Sequence, residues 1–202
     1  MTAPGSDRSK GGSPIRPGVF LAAIEKRRLA TRPLRNALVS AGLILLVGVL
    51  GLGLNAPLLY PSLGPTAYLL VHDAHHRSAR FYDIVAGHFI ALASGLLAVH
   101  VFGYENAPSI FDPASHLAAM RVVAAVVALA LTVMLALWVR ASHPPAGATA
   151  LVIVLCGFHA TLQGLLAIIA GIIAMALAGE ALRRLKLIGV PASASLISPG
   201  PG

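Results

Sequence analysis

Two short stretches of the chain share one pattern of residues that can bind an anion. Pro61-Ser-Leu-Gly-Pro-Thr-Ala67 and Pro144-Pro-Ala-Gly-Ala-Thr-Ala150 both read P-x-x-G-x-T-A, and each continues into a branched apolar run. Proline disfavours helical geometry in the residue before it and fits the first turn of a helix, so each stretch predicts a short helix that begins after its proline. The first backbone N–H groups of such a helix have no partner inside it and carry about half a positive charge.

The predicted anion site combines both stretches. Gly64 and Gly147 would let the backbone approach a ligand closely. Thr66 and Thr149 offer hydroxyl groups, and Ser62 could cap the first of the two helices. The alternative is that these small residues only allow tight helix packing. The full set of candidate binding residues is Ser62, Gly64, Thr66, His88, His143, Pro144, Pro145, Gly147 and Thr149.

Histidines add titratable groups to the candidate site. His88 lies about one turn into an apolar segment, where an ionisable side chain is costly and usually faces the protein interior. His143 precedes the two prolines, and its imidazole could carry a proton near neutral pH. Its alternatives are to cap a helix end or to face water. A third group, His72, His75 and His76, has a spacing that can bind zinc or nickel, but a solvated loop is the more common outcome, so no metal is expected.

Six apolar segments must position these residues. Only 11% of the residues are charged and 57% are hydrophobic, whereas a soluble domain carries about 25% charged residues. The segments cover residues 36–54, 56–71, 84–103, 117–140, 144–158 and 162–182. A membrane-spanning helix needs about 20 residues, and the second and fifth segments are shorter than that. The predicted fold is an all-α integral membrane protein with six segments, two of them short and interrupted by Pro and Gly, in contact with the lipid bilayer.

The order long, short, long occurs twice, over about residues 36–103 and 117–182. Because each half has three segments, the second half would start on the opposite side of the membrane and run inverted. Interrupted segments at matching positions of inverted repeats point to the central site of a transporter. The sequence therefore predicts two inverted three-segment repeats around one site.

The distribution of basic residues indicates the orientation. If all six segments cross, one side receives every Lys and Arg except Arg121, which predicts cytoplasmic termini. In the alternative, the two short segments are re-entrant, only four cross, and Arg77, Arg80 and Arg140 move outside. The predicted cytoplasmic parts are the N-terminal arm, two loops and the C-terminal tail. They cover residues 1–35, 72–83, 140–143 and 183–202.

The N-terminal arm is polar, basic and expected to be partly disordered. Residues 19–30 could form an amphipathic helix on the membrane surface or a solvated basic arm. The net charge of +8 could suggest nucleic-acid binding. The basic residues instead gather at the termini and short loops, without the aromatic-interleaved stripe of a nucleic-acid surface, so no nucleic-acid partner is expected.

Enzymatic chemistry finds no support in the motifs. The sequence has no GxSxG, HExxH, P-loop or paired-carboxylate motif, so we expect neither an enzyme nor a cofactor. Cys156 is the single cysteine, which excludes an internal disulfide and a multi-cysteine metal site. The two short segments contain no acidic residue, which argues against a cation site.

The string Ser142-His-Pro-Pro-Ala-Gly-Ala-Thr-Ala-Leu151 resembles the signature of the HPP family of small integral membrane proteins. The PSLGPTA stretch and Ala86-Gly87-His88 are also similar to motifs of that family, and the resemblance covers roughly residues 35–182. Plant and cyanobacterial relatives in the family are linked to nitrite transport. The resemblance therefore implies a transporter of small anions, with nitrite as the first candidate.

The sequence as a whole predicts a transporter or channel for small monovalent anions in a bacterial plasma membrane. Two alternatives stay open: a non-transporting membrane sensor or assembly protein, and a channel for a small neutral solute such as nitrous acid. Small-residue faces, Gly42 with Gly48 and Gly171 with Gly179, would permit a homo-oligomer without specifying one.

Overall fold

The structure, a computed structural model, describes residues 17–113, 115–157 and 161–188, with the backbone alone for residues 17–31. These residues contain six α-helices, a 3₁₀ turn at Arg77–Ala79 and no strand. The helices are α1 (Pro17–Gly53), α2 (Leu63–His72), α3 (Phe81–Val101), α4 (Ala119–Trp138), α5 (Ala146–Leu155) and α6 (Leu162–Arg184). Disorder is predicted from the sequence up to residue 18. Residues 1–16 and the tail from residue 189 lie outside the described residues, and residues 17 and 18 begin α1.

Four stretches of helix are long and apolar enough to cross a membrane: Arg32–Gly53 of α1, and the whole of α3, α4 and α6. The expectation of an all-α integral membrane protein is confirmed. Helices α2 and α5 have ten residues each, which at 1.5 Å per residue gives about 15 Å, half the thickness of a bilayer core. The number of crossings therefore stays a prediction.

The chain divides into two compact units between Arg35 and Asn36. In the first unit, the residues from Pro17 onward are helical, and the predicted surface position of residues 19–30 stays a prediction. The second unit contains all of the candidate binding residues.

Helix α3 is the centre of the second unit, since it packs against α4, α5 and α6, while α2 packs against α6. Small residues allow these close approaches. A Cβ atom added to Gly95 of α3 would lie 2.9 Å from the Cβ of Ile153 in α5. Large apolar side chains such as Leu52, Trp138 and Leu162 are instead exposed on the outer faces, as lipid-facing residues are expected to be.

The loop before α3 and the turn before α5 meet at one end of this unit. The Arg77 guanidinium donates to the carbonyl oxygen of Arg140. The backbone N–H of Ser142 donates to Asp83 Oδ1 over 3.0 Å, and Arg77 Nε lies 3.6 Å from the same carboxylate oxygen. The two loops that the charge pattern assigned to one side are therefore in contact.

Glycines of α6 are used for packing within the chain. A Cβ atom added to Gly171 would lie 2.3 Å from the carbonyl oxygen of Leu58, in the extended stretch before α2. One added to Gly179 would lie 2.5 Å from Leu70 Cδ2. Because both glycines are buried in the chain, this face is not available for the homo-oligomer that the sequence suggested.

We expect Gly171→Ala to destabilise the protein by about 1–3 kcal/mol, because the added methyl group meets backbone that cannot move aside cheaply. The measurement is the melting temperature of the purified protein in detergent. Gly42→Ala is the matched control, since a Cβ atom there meets none of the described residues within 4 Å. Equal melting temperatures for the two variants would show that α6 does not lie this close to the extended stretch.

Candidate functional site

The beginnings of the two short helices meet in the buried centre of the unit. Ser62 directly precedes α2, and Thr149 lies in the first turn of α5. Their hydroxyl oxygens are 2.8 Å apart although 87 positions separate them in the sequence, and both side chains are buried. The two P-x-x-G-x-T-A stretches therefore share one location.

His88 connects the two short helices from the side of α3. Its Nδ1 lies 2.7 Å from Thr149 Oγ1, and its Nε2 lies 3.1 Å from Thr66 Oγ1 in α2. The imidazole is fully buried. As the sequence suggested for an ionisable residue in an apolar helix, it faces the protein interior and not lipid.

His143 completes the cluster from the turn before α5. Its Nε2 lies 3.2 Å from Thr66 Oγ1, and its Nδ1 lies 2.7 Å from the carbonyl oxygen of Ser78 in the 3₁₀ turn. The ring centroids of His143 and His88 are 4.9 Å apart. Its side chain is buried, so the alternative in which it faces water is wrong. We call Ser62, Thr66, His88, His143 and Thr149 the hydroxyl–imidazole cluster.

The structure does not bring the remaining candidates into this cluster. Gly64 is exposed and lines an apolar groove between α1 and the stretch before α2. Gly147 faces α4, where an added Cβ atom would meet Leu129 Cδ1 at 3.0 Å. Pro144 is exposed and Pro145 half-buried just before α5. The two glycines therefore do not provide the close backbone approach to a ligand that the sequence suggested.

The first backbone amides of both short helices are already paired, so the expectation of free N–H donors there is wrong. Each donates to a carbonyl three positions back, over 2.9–3.3 Å, in a turn of the 3₁₀ type that precedes the helix. These amides belong to Leu63, Gly64, Ala146, Gly147 and Ala148. The Ser62 side chain also forms no cap hydrogen bond and binds Thr149 instead. The donors of the cluster are therefore hydroxyl and imidazole groups.

The cluster contains no permanently charged side chain, and a buried carboxylate that is paired with a half-exposed guanidinium lies beside it. The Asp83 carboxylate is only 3% exposed, and Arg77 and the Ser142 amide hold it. Tyr60 places the edge of its ring against His88, with centroids 6.4 Å apart, and its buried hydroxyl has no partner in the described residues. Neutral hydroxyl and imidazole groups that are buried away from water can bind a small polar solute or a small anion.

A family model for the transmembrane region of HPP proteins matches residues 26–191, a span that includes both P-x-x-G-x-T-A stretches and every residue of the cluster. The chain belongs to the HPP family. The resemblance that the Ser-His-Pro-Pro string suggested is thereby confirmed. No match was found among curated proteins or among solved structures.

Among the described residues, no group of three His, Cys, Asp or Glu side chains is placed to hold a metal ion. His72 at the end of α2 and His76 in the loop after it make contacts of another kind. His72 stacks on Tyr68 with ring centroids 4.9 Å apart, and His76 Nδ1 accepts a hydrogen bond from the Ser78 amide. These contacts shape the loop whose Ser78 carbonyl accepts from His143.

Arg121 is a residue of the HPP fold whose role the sequence analysis missed. Its side chain is buried, and three of its nitrogens donate to carbonyl oxygens at 2.7–3.2 Å. The acceptors are Val154 and Leu155 at the end of α5 and Pro108 in the loop before α4. A cation here complements the negative end of the short helix. The signal was in the sequence, since Arg121 was the exception to the charge distribution and an arginine at the edge of an apolar segment needs partners.

We expect Arg121→Met to destabilise the HPP protein by about 2–5 kcal/mol, because hydrogen bonds to a charged group contribute about 1.5–3 kcal/mol each and the carbonyls would lose their partner. Arg121→Lys should recover only part of this, since an ammonium group lacks the planar fork of a guanidinium. Melting temperature in detergent is the readout, with Arg140→Met as the exposed control. A normal melting temperature for Arg121→Met would contradict this role.

Proposed function

We propose that this HPP protein transports small monovalent anions, nitrite foremost, and that the hydroxyl–imidazole cluster binds them. The observation that carries the proposal is the 2.8 Å contact between Ser62 and Thr149, which joins the beginnings of two half-length helices inside the apolar centre of the unit. Meeting points of broken helices are where membrane transporters place their substrate sites.

The chemistry of the cluster favours an anion over a cation. The N-termini of α2 and α5 each bring the positive end of a helix dipole to this point. Paired amides still contribute that dipole, and the hydroxyl and imidazole groups supply hydrogen bonds that the amides do not. The nearest carboxylate among the described residues, Asp83, is already engaged by Arg77 and the Ser142 amide. A cation would want free carboxylates or carbonyls in its place.

The packing supports two inverted repeats around the site. In the proposed symmetry, α1, α2 and α3 correspond to α4, α5 and α6. The third helix of each half packs on the short helix of the other half, α3 on α5 and α6 on α2. Gly95 and Gly171, matched between the halves, both make a close approach to the opposite half. We therefore propose six crossings with cytoplasmic termini, in which the contacting loops that carry Arg77 and Arg140 face the cytoplasm.

The transport proposal is tested by nitrite uptake into liposomes that contain the purified protein. We expect Ser62→Ala to reduce uptake by roughly tenfold or more, because a hydrogen bond to a charged ligand contributes about 1.5–3 kcal/mol and 1.4 kcal/mol is tenfold. Ser94→Ala is the matched control, since this buried serine of α3 lies outside the cluster and its hydroxyl has no hydrogen-bond partner among the described residues. Its uptake should equal that of the unmodified protein.

Excess nitrate separates binding of the anion from passage of the neutral acid. Nitrate is a similar anion whose conjugate acid is too strong to exist at neutral pH, so it should inhibit nitrite uptake at an anion site. Uptake that nitrate leaves unchanged and that follows only the nitrous acid concentration would indicate a channel for a neutral solute. A folded protein that passes no anion would indicate the non-transporting alternative.

A further inference from the structure

The hydrogen bonds of the cluster form one continuous chain. It runs from the Ser78 carbonyl through His143 to Thr66, then through His88 to Thr149 and Ser62, with contacts of 2.7–3.2 Å. A carbonyl oxygen only accepts, so His143 Nδ1 must carry a hydrogen. This assignment and the protonation state of the two rings determine which of the other groups in the hydrogen-bond series donate and which accept.

With both rings neutral, one arrangement pairs every group. His143 Nε2 then has a lone pair and accepts from the Thr66 hydroxyl, while His88 Nε2 donates to the Thr66 oxygen. His88 Nδ1 accepts from Thr149, and Thr149 accepts from Ser62. Every hydrogen-bonding group between the Ser78 carbonyl and the Ser62 hydroxyl then has a partner, as is favourable for a buried polar network.

With one added proton, a second arrangement also pairs every group. Thr66 Oγ1 lies 2.9 Å from the carbonyl oxygen of Ser62, so its hydroxyl can turn to that acceptor. His143 Nε2 can then hold the added proton and donate to the Thr66 oxygen, which has a second lone pair for His88. The two arrangements differ by one proton and by one rotation of the Thr66 hydroxyl.

Charge repulsion disfavours a second added proton on the two rings. The two imidazole rings are 4.9 Å apart in a dry environment, where two positive charges repel strongly. The other titratable or charged groups that face the pair are Tyr60, from the stretch before α2, and Asp83 of α3. Asp83 is paired with Arg77, and the groups that α2 and α5 present are the neutral hydroxyls of Thr66 and Thr149.

We propose that the cluster holds one exchangeable proton on the His88–His143 pair and that this proton travels with each transported anion. Imidazole is a side chain that can gain and lose a proton. The imidazolium attracts the anion to the positive ends of α2 and α5, and loss of both together returns the cluster to its neutral arrangement. One proton and one monovalent anion enter and leave, so the cycle moves no net charge. This inference rests on the proposed transport function.

The first test measures what drives nitrite uptake into liposomes that contain the full chain, after subtraction of the leak into protein-free liposomes. Potassium with valinomycin sets the membrane potential, and a pH-sensitive dye reports proton entry. We expect uptake to rise with outside acidity, to bring in one proton per nitrite, to be unaffected by the potential and to be inhibited by excess nitrate, which passage of neutral nitrous acid would not be. Uptake that follows the potential and moves no protons would overturn the coupling while leaving the transport proposal intact.

Substitutions of Thr66 distinguish a site that couples the proton to the anion from a site that only binds the anion. Thr66→Val should lower pH-driven uptake by about tenfold or more, because the two rings lose the hydroxyl that joins them. Thr66→Ser keeps that hydroxyl and should keep the dependence on pH. Thr132→Val is the control, since Thr132 is buried but its hydroxyl donates to Ala128 of its own helix. Unchanged pH-driven uptake in Thr66→Val would contradict the proposal.

A second measurement uses the unmodified protein and does not depend on transport. Nuclear magnetic resonance of the purified protein, with ¹⁵N-labelled histidine and no nitrite, follows the protonation of each ring during a pH titration. We expect His88 and His143 to share one proton in a single step. Two independent protonation steps would overturn the shared proton. If the single step is seen and no anion is transported, the transport proposal fails and the proton site stands.

Discussion

A helix that ends inside a membrane leaves polar backbone groups without partners, and hydrocarbon cannot supply them. In this HPP protein the N-termini of both half-length helices lie in the buried centre of the unit, where water cannot supply those partners either. Their N-termini use turns that pair the first amides with preceding carbonyls, and the C-terminus of α5 uses the Arg121 guanidinium. Because the backbone is satisfied locally at these ends, the chemistry at the meeting point of α2 and α5 falls to side chains.

Helix α3 supplies the frame that brings those side chains together. It carries His88 at its centre and presents Gly87 to the turn before α5, where an added Cβ atom would lie 2.9 Å from the Cβ of His143. The glycine is thus what allows His143 to come within 4.9 Å, ring to ring, of its neighbour His88. On α3, His88 therefore provides one imidazole and its neighbour Gly87 makes room for the imidazole of His143. The Gly-His pair of α3 and the His-Pro-Pro stretch before α5 depend on each other in this way.

Hydropathy and motif spacing predicted six apolar segments, and Ser62, Thr66, His88, His143 and Thr149 were among the candidates that the structure brings together. Gly64 and Gly147 were wrongly expected at the site, for a geometric reason. At 3.6 residues per turn, Ser62 and Thr66 are four positions apart and lie on one face of α2, whereas Gly64 is two positions from each and faces away. Gly147 is likewise two positions before Thr149. The paired amides were not predictable, because they depend on the turn geometry that precedes each helix.

Arg121 and the His88–His143 pair differ in how their side chains can carry positive charge. At the C-terminus of α5, Arg121 is permanently charged and its donors are occupied by carbonyl oxygens, so it stabilises structure and has little capacity left for a solute. At the N-termini of α2 and α5, a permanent charge would hold an anion in an apolar interior with no means of release. An imidazole can be neutral or charged, and so in the proposed transport function His88 and His143 would bind an anion and also release it.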